Sequence, residues 1–203
     1  LGSDITLTNG IKINASKTSV IIDGTYQGVT YTLTDKKSTA ASDTIYIASS
    51  NNKAVTVENL NFVGYNYYGI IYVPDSSTYS NTILTYKNIT YVGPQICFHP
   101  YGLTKFIDCD ITIQDNYTVG NEVAECNRID IGGSTTIMHK STANSGFWFR
   151  NSNPSLTILE GAKVNFTSTS REFIYGVTNL VFTIEKNASF YVTAANGFAY
   201  QSF

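Results

Sequence analysis

Charge is sparse in this chain of 203 residues: Asp, Glu, Lys and Arg make up 14% of it, where an ordinary soluble protein carries about a quarter. With a net charge of −2 and a pI near 5.6, it has no basic surface of the kind that holds nucleic acid or an anionic membrane. Arginine is confined to Arg128, Arg150 and Arg171, and histidine to His99 and His139. No run approaches the roughly 18 apolar residues that a membrane span needs, so membrane insertion is not expected. The three cysteines, Cys97, Cys109 and Cys126, are too few for a disulfide scaffold and match no zinc spacing. Each stands in an apolar or alternating setting, which favours buried small hydrophobes; one disulfide plus one free thiol is the alternative. No Gly-x-Ser-x-Gly, phosphate loop or calcium loop occurs, and no cofactor or metal is expected.

What is present is a chain 42% hydrophobic, with 15 Tyr, 11 Phe, 26 Thr and 19 Asn. That is too apolar for disorder and is a composition of extracellular β proteins. Alternation with period 2 dominates, as in Thr44-Ile-Tyr-Ile47, Val55-Thr-Val57, Ile111-Thr-Ile113, Phe147-Trp-Phe149 and Phe182-Thr-Ile184. No segment sustains a helical stripe. The length suits a single domain over residues 1–203. Leu1-Gly2-Ser3 is compatible with a cloning scar, and the apolar run Phe198–Phe203 reads as the end of a piece cut from a longer surface protein.

Internal repetition selects the architecture. Val55-Thr-Val-Glu-Asn59-Leu-Asn-Phe62 aligns with Leu84-Thr-Tyr-Lys-Asn88-Ile-Thr-Tyr91 and with Leu103-Thr-Lys-Phe-Ile-Asp108-Cys-Asp-Ile111. Leu156-Thr-Ile-Leu-Glu-Gly161-Ala-Lys-Val164 and Phe182-Thr-Ile-Glu-Lys-Asn187-Ala-Ser-Phe190 continue the series, with Ile131-Gly-Gly133-Ser-Thr-Thr-Ile137 a looser member. Turn residues Asn59, Asn88, Asp108, Gly133, Gly161 and Asn187 recur at a coil-sized period, and Asp23-Gly24 would open the series. The expectation is an all-β, single-stranded, right-handed parallel β-helix of roughly seven coils. In it those six residues form a ladder of left-handed turns. A β-sandwich is the alternative, although Asn9-Gly10, Asp23-Gly24 and Asn196-Gly197 are too few hairpin turns to connect so many strands.

Ser19-Val-Ile-Ile-Asp-Gly24, Leu84–Gln95 with its Tyr-Val-Gly-Pro-Gln, Asn121-Glu-Val-Ala-Glu125, Ile129–Ile137 and Phe147-Trp-Phe149 occur in that order. Together they resemble the pectate lyase-like adhesive domain of Gram-positive bacterial surface proteins. The resemblance implies a right-handed parallel β-helix, an extracellular wall-attached location through segments outside this chain, and an adhesive role. It hands over no mapped ligand site.

A lyase on this fold needs an Arg or Lys base and several acidic oxygens to hold calcium. The lyase runs Trp-x-Asp-His and Arg-x-Pro-x-x-Arg are both missing. A glycoside hydrolase needs facing carboxylates. Asp108 and Asp110, on one side of a strand, with Asp130 one coil on, are the best candidates; the competing reading puts Asp108 in the turn ladder and leaves Asp110 solvated. Glu122 and Glu125 read as ordinary acidic surface. His99, before Pro100 in a turn, and His139, at a strand end, have neither a nucleophile nor a ligand pattern. The Asn-x-Ser/Thr triplets at Asn14, Asn88, Asn116, Asn165 and Asn187 read as composition.

Two aromatic groups are the candidate ligand-binding residues. Tyr65, Tyr67, Tyr68 and Tyr72, with Tyr79 beyond, lie around a loop, although some of them are expected to point inward or cover a coil edge. Trp148 and Arg150 share the strand side opposite the core pair Phe147 and Phe149. Flat rings and amides are what sugar-binding surfaces offer. The functional expectation is therefore a non-catalytic, monomeric module binding a host or matrix protein or a polysaccharide at the cell surface. A divergent lyase or hydrolase and a passive spacer are the alternatives.

Overall fold

The computed structural model describes residues 1–14, 17–51, 53–176 and 179–199. Strands dominate, and the only helical segments among the described residues are two 3₁₀ turns, Ala41–Asp43 and Ser77–Tyr79. Eighteen strands pair in parallel into one continuous array that winds as a solenoid of about seven turns. Among the described residues the one antiparallel strand pair is a small hairpin, Thr25–Tyr26 with Val29–Thr30. A sandwich is excluded on that pairing, because its strands return through hairpins whereas these advance one level per turn.

Each turn contributes to three faces. The first stacks Ser19–Asp23, the starts of Ala54–Val63 and Ile83–Gly93, the ends of Cys97–Ile107 and Ala124–Gly132, then Ser155–Ile158 and Val181–Ile184. The second stacks Thr32–Thr34, the later halves of Ala54–Val63 and Ile83–Gly93, Asp110–Ile113, Ser134–His139, Lys163–Ser168 and Ser189–Ala194. On the third, Ile45, Ile71, Cys97, Ala124, Phe147 and Ile174 lie over one another, 23 to 27 residues apart.

Period-2 alternation turns one apolar residue in two toward the axis, and the register lays like upon like. Val57, Tyr86, Phe106, Ile131 and Ile158 form one inward row, with Tyr86 and Phe106 stacked at 5.4 Å. Leu33, Phe62, Tyr91, Ile111, Ile137 and Phe166 form another. Tyr91 fits only because its neighbours are small: a Cβ on Gly64 or Gly93 would stand 2.3 or 2.4 Å from its hydroxyl oxygen. That hydroxyl donates to the Gln95 carbonyl.

The corner between the first and second faces is made by the repeated turn residues. Asn59, Asn88, Asp108, Gly133, Gly161 and Asn187 all have φ between 51° and 70°. Asn88 Nδ2 donates to Asn59 Oδ1 at 2.9 Å, and Asn59 Nδ2 to Asp23 Oδ1 at 3.3 Å. Asp108 Oδ1 instead accepts from the Ser134 backbone N–H at 2.8 Å, where the next coil carries an extra turn residue. All three cysteines are free thiols and buried, so no pair is bridged. His99 does not sit in a turn. It lies wholly buried within the strand Cys97–Ile107, because the corner at Pro100 bends by a register shift between His99 and Leu103 rather than by a tight reversal. Of the terminal apolar run, Tyr200 to Phe203 lie outside the described residues.

Candidate ligand-binding face

The residues that follow the inward row of the third face point outward. They are Tyr46, Tyr72, Phe98, Glu125, Trp148 and Tyr175, one per coil in lateral register. Five of the six are aromatic, in a line about 24 Å long at the strand spacing. Tyr46 stacks on Tyr72 at 5.5 Å, and Tyr72 on Phe98 at 4.9 Å and 7° between planes. Their faces are thus spent on one another; Tyr46 and Tyr72 are half-buried, and Phe98 is buried beneath its neighbours. Trp148 and Tyr175 meet edge to face at 5.4 Å.

Arg150 bridges the break that Glu125 makes in this row. Its guanidinium lies 4.9 Å from the Trp148 ring centre and 5.8 Å from that of Phe98. It pairs with Glu125 at 3.0 Å and Asp75 at 3.1 Å. Tyr68 joins from the loop between Ala54–Val63 and Ile71–Tyr72, edge-on to Tyr67, Tyr72 and Phe98 at 5.1 to 5.6 Å. That loop is held by Asp35, whose carboxylate accepts the backbone N–H groups of Tyr65 and Asn66. Burial pushes Asp35 up to about 6. Asn66 in turn donates to the Ala40 carbonyl at 3.0 Å and accepts from the Tyr68 N–H.

Of the six candidate residues, Tyr67, Tyr68, Tyr72, Trp148 and Arg150 converge on this face. Tyr65 makes a different contact, with Lys37 Nζ over its ring at 5.2 Å. Tyr79 is buried in a 3₁₀ turn. Sequence reasoning passed over Tyr46, Phe98 and Tyr175. Their signal was an apolar–aromatic pair recurring once per coil: Ile45-Tyr46, Ile71-Tyr72, Cys97-Phe98, Phe147-Trp148, Ile174-Tyr175.

Glu122 and Glu125 are not acidic surface: they are 0% and 4% exposed. Asn144, from the loop before Phe147–Phe149 of the next coil, lies against Glu122, and Arg150 lies against Glu125. Burial raises the Glu125 carboxyl while Arg150 opposes the shift. Burial, and then the charge of Glu125, push Glu122 up to about 8. Its Oε2 accepts from Asn144 Nδ2 at 3.0 Å, whereas Oε1 has no partner among the described residues. Alongside, Ser145 Oγ donates to Glu172 Oε2 at 3.0 Å, and Arg171 Nε lies 3.4 Å from that oxygen. His139, also buried, bonds the Asn121 carbonyl through Nε2 at 2.8 Å and Ser168 through Nδ1, and burial depresses it to about 4.

The candidate hydrolytic aspartates do not assemble. Asp108 occupies its left-handed turn, and Asp110 is exposed on the second face. Asp130 stands on the first face, paired with Lys105 at 3.2 Å. Among the described residues no group of three or more His, Cys, Asp and Glu is placed to hold a metal ion.

Residues 1–98 match the family model described as "Putative pectate lyase-like adhesive domain". No curated protein and no solved structure gave a match. The matched segment covers the first coils up to Phe98, and the later coils repeat the same three-faced turn with the same inward rows. The chain thus carries the pectate lyase-like adhesive pattern over residues 1–98, on a parallel β-solenoid that continues through the coils beyond.

Proposed function

We propose that this chain is a non-catalytic adhesive module that engages a host or matrix protein, or a polysaccharide, through its third face. The observation that carries this reading is the outward row Tyr46, Tyr72, Phe98, Glu125, Trp148 and Tyr175, tied together by Arg150. Rings locked by stacking and by a salt-bridged guanidinium lose little freedom when a ligand docks, which favours affinity. Single contacts of this kind are weak, and many copies on one surface would multiply them into avidity. The module acts at the outside of a cell, attached through segments other than this chain, and as a monomer.

The test is an array of glycans and matrix proteins, run beside an absorbance assay for unsaturated uronates with calcium present. Specific binding without product is the expected result. Replacing Tyr67, Tyr68 and Trp148 together by Ala should weaken that binding by about tenfold or more, since such anchors dominate an interface. Product formation would sink the non-catalytic reading, and silence in both assays would leave a passive spacer as the better account.

A further inference from the structure

At Trp148 the aromatic row borders a cleft. The side chains of Glu122, Asn144, Ser145, Trp148, Arg171 and Tyr175 enclose about 240 Å³, room for about eight water molecules. Trp148 and Tyr175, meeting edge to face, supply an apolar corner. The opposite wall is polar and built on Glu122. This residue is wholly buried, yet among the described residues only one of its two carboxyl oxygens finds a partner, Asn144. A buried oxygen left unbonded is costly, and Glu122 lines this cleft, so a ligand's polar group brought against that wall would satisfy it. The cleft's other carboxylate, Glu172, is already engaged by Ser145 and Arg171, and Arg150 is committed to Glu125 and Asp75.

We infer that this cleft is a subsite for one neutral pyranose residue, with Trp148 and Tyr175 against its C–H face and Glu122, Asn144 and Ser145 bonding its hydroxyls. The inference rests on the third face being a ligand-binding surface, and it names the class of ligand. The choice of a neutral sugar over a cation follows from protonation. Because Glu122 is raised to about 8, at neutral pH it is an acid that donates to a hydroxyl oxygen, not a carboxylate that draws an ammonium group. The groups facing it are Glu125 at the start of the strand that follows it, Arg150 from the next coil, Tyr67 from the loop between Ala54–Val63 and Ile71–Tyr72, and Arg171 with Glu172 from the coil beyond.

Trp148 is the sole tryptophan of the chain, so its fluorescence reports occupancy of the cleft directly. The probes are the methyl glycosides of glucose, galactose, mannose and N-acetylglucosamine, with ethylammonium as the cationic control, each titrated into the full chain. At least one glycoside should shift Trp148 emission saturably, with a dissociation constant in the millimolar range. Glu122→Ala should weaken it about tenfold or more, while Glu122→Gln, the isostere of the protonated acid, should hold affinity within about threefold. Affinity of the unaltered chain should fall above about pH 8, and that of Glu122→Gln should not. Thermal melts accompany each variant. Should Glu122→Ala fail to fold, Asn144→Ala with Ser145→Ala is read on the same scale.

Silence with all four glycosides overturns the inference, as does ethylammonium binding that Glu122→Gln abolishes. Array binding by a chain whose Trp148 does not respond would remove the subsite and leave the adhesive reading standing. Glycoside binding in the cleft with a silent array would do the reverse.

Discussion

At the scale of single residues, the molecule's pH response is set by groups folded into places that disfavour their charge. Glu122 and Asp35 are raised to about 8 and about 6, and His99 and His139 are lowered to about 3 and about 4, all mainly through burial. For a raised carboxyl the folded state holds its proton more tightly than the unfolded chain does. Its contribution is therefore fully present below about pH 4.5 and is lost as pH rises through about 8. The histidines act in the opposite sense, losing stability as pH falls below about 6.5. Glu122→Gln removes one of these terms cleanly. Chemical denaturation should find the variant close to the unaltered chain at acid pH, and more stable by about 2 to 4 kcal/mol above pH 8. A constant difference across that range would mean that Glu122 does not titrate as the structure requires.

At the scale of the element, what distinguishes this fold from a run of anonymous strands is its left-handed corner. Asn59 and Asn88 hold φ of 51° and are bonded side chain to side chain, one coil to the next. An alanine there meets the steric cost of the left-handed region as well as losing the bond. Asn88→Ala should cost about 1 to 3 kcal/mol, and Asn88→Gly, which is at ease at that φ, clearly less. Equal losses on thermal denaturation would show that the side-chain ladder, not the backbone, carries the corner. The aromatic row is likewise a property of the element. Tyr72 meets Phe98 at 4.9 Å only because the two strands pair without a register shift there.

At the scale of the whole molecule, each coil pairs its strands with those of the adjacent coils, so protection should follow position along the axis. The middle coils bury their inward rows completely: Val57, Tyr86, Phe106, Ile131 and Ile158 show at most 0% exposure. In the last coil Ile184, which continues this row, is 50% exposed, because among the described residues no strand lies over it. Hydrogen exchange should therefore be slowest in Ile83–Gly93 and Cys97–Ile107 and fastest in Val181–Ile184 and Ser189–Ala194. Uniform protection would indicate a partner stacked on the open end, since an exposed coil end is a template for pairing.

The parallel solenoid, its roughly seven turns and its left-handed corner were legible in the sequence, because each rests on short-range chemistry. Alternation fixes which residues face inward, and an Asn, Asp or Gly once per coil marks the corner. Tyr72, Trp148 and Arg150 could be chosen on the same grounds, as aromatic and basic residues on the outward side of their strands. The meeting of Tyr46, Phe98 and Tyr175 with them was decided by register, which depends on where each irregular loop returns the chain. The fate of Glu122 was decided in the same way. Nothing within Asn121-Glu-Val-Ala-Glu125 distinguishes a solvated carboxylate from a buried acid. The difference comes from the loop of the next coil, some twenty residues on, which lays Asn144 against one oxygen and leaves the other buried without a partner among the described residues.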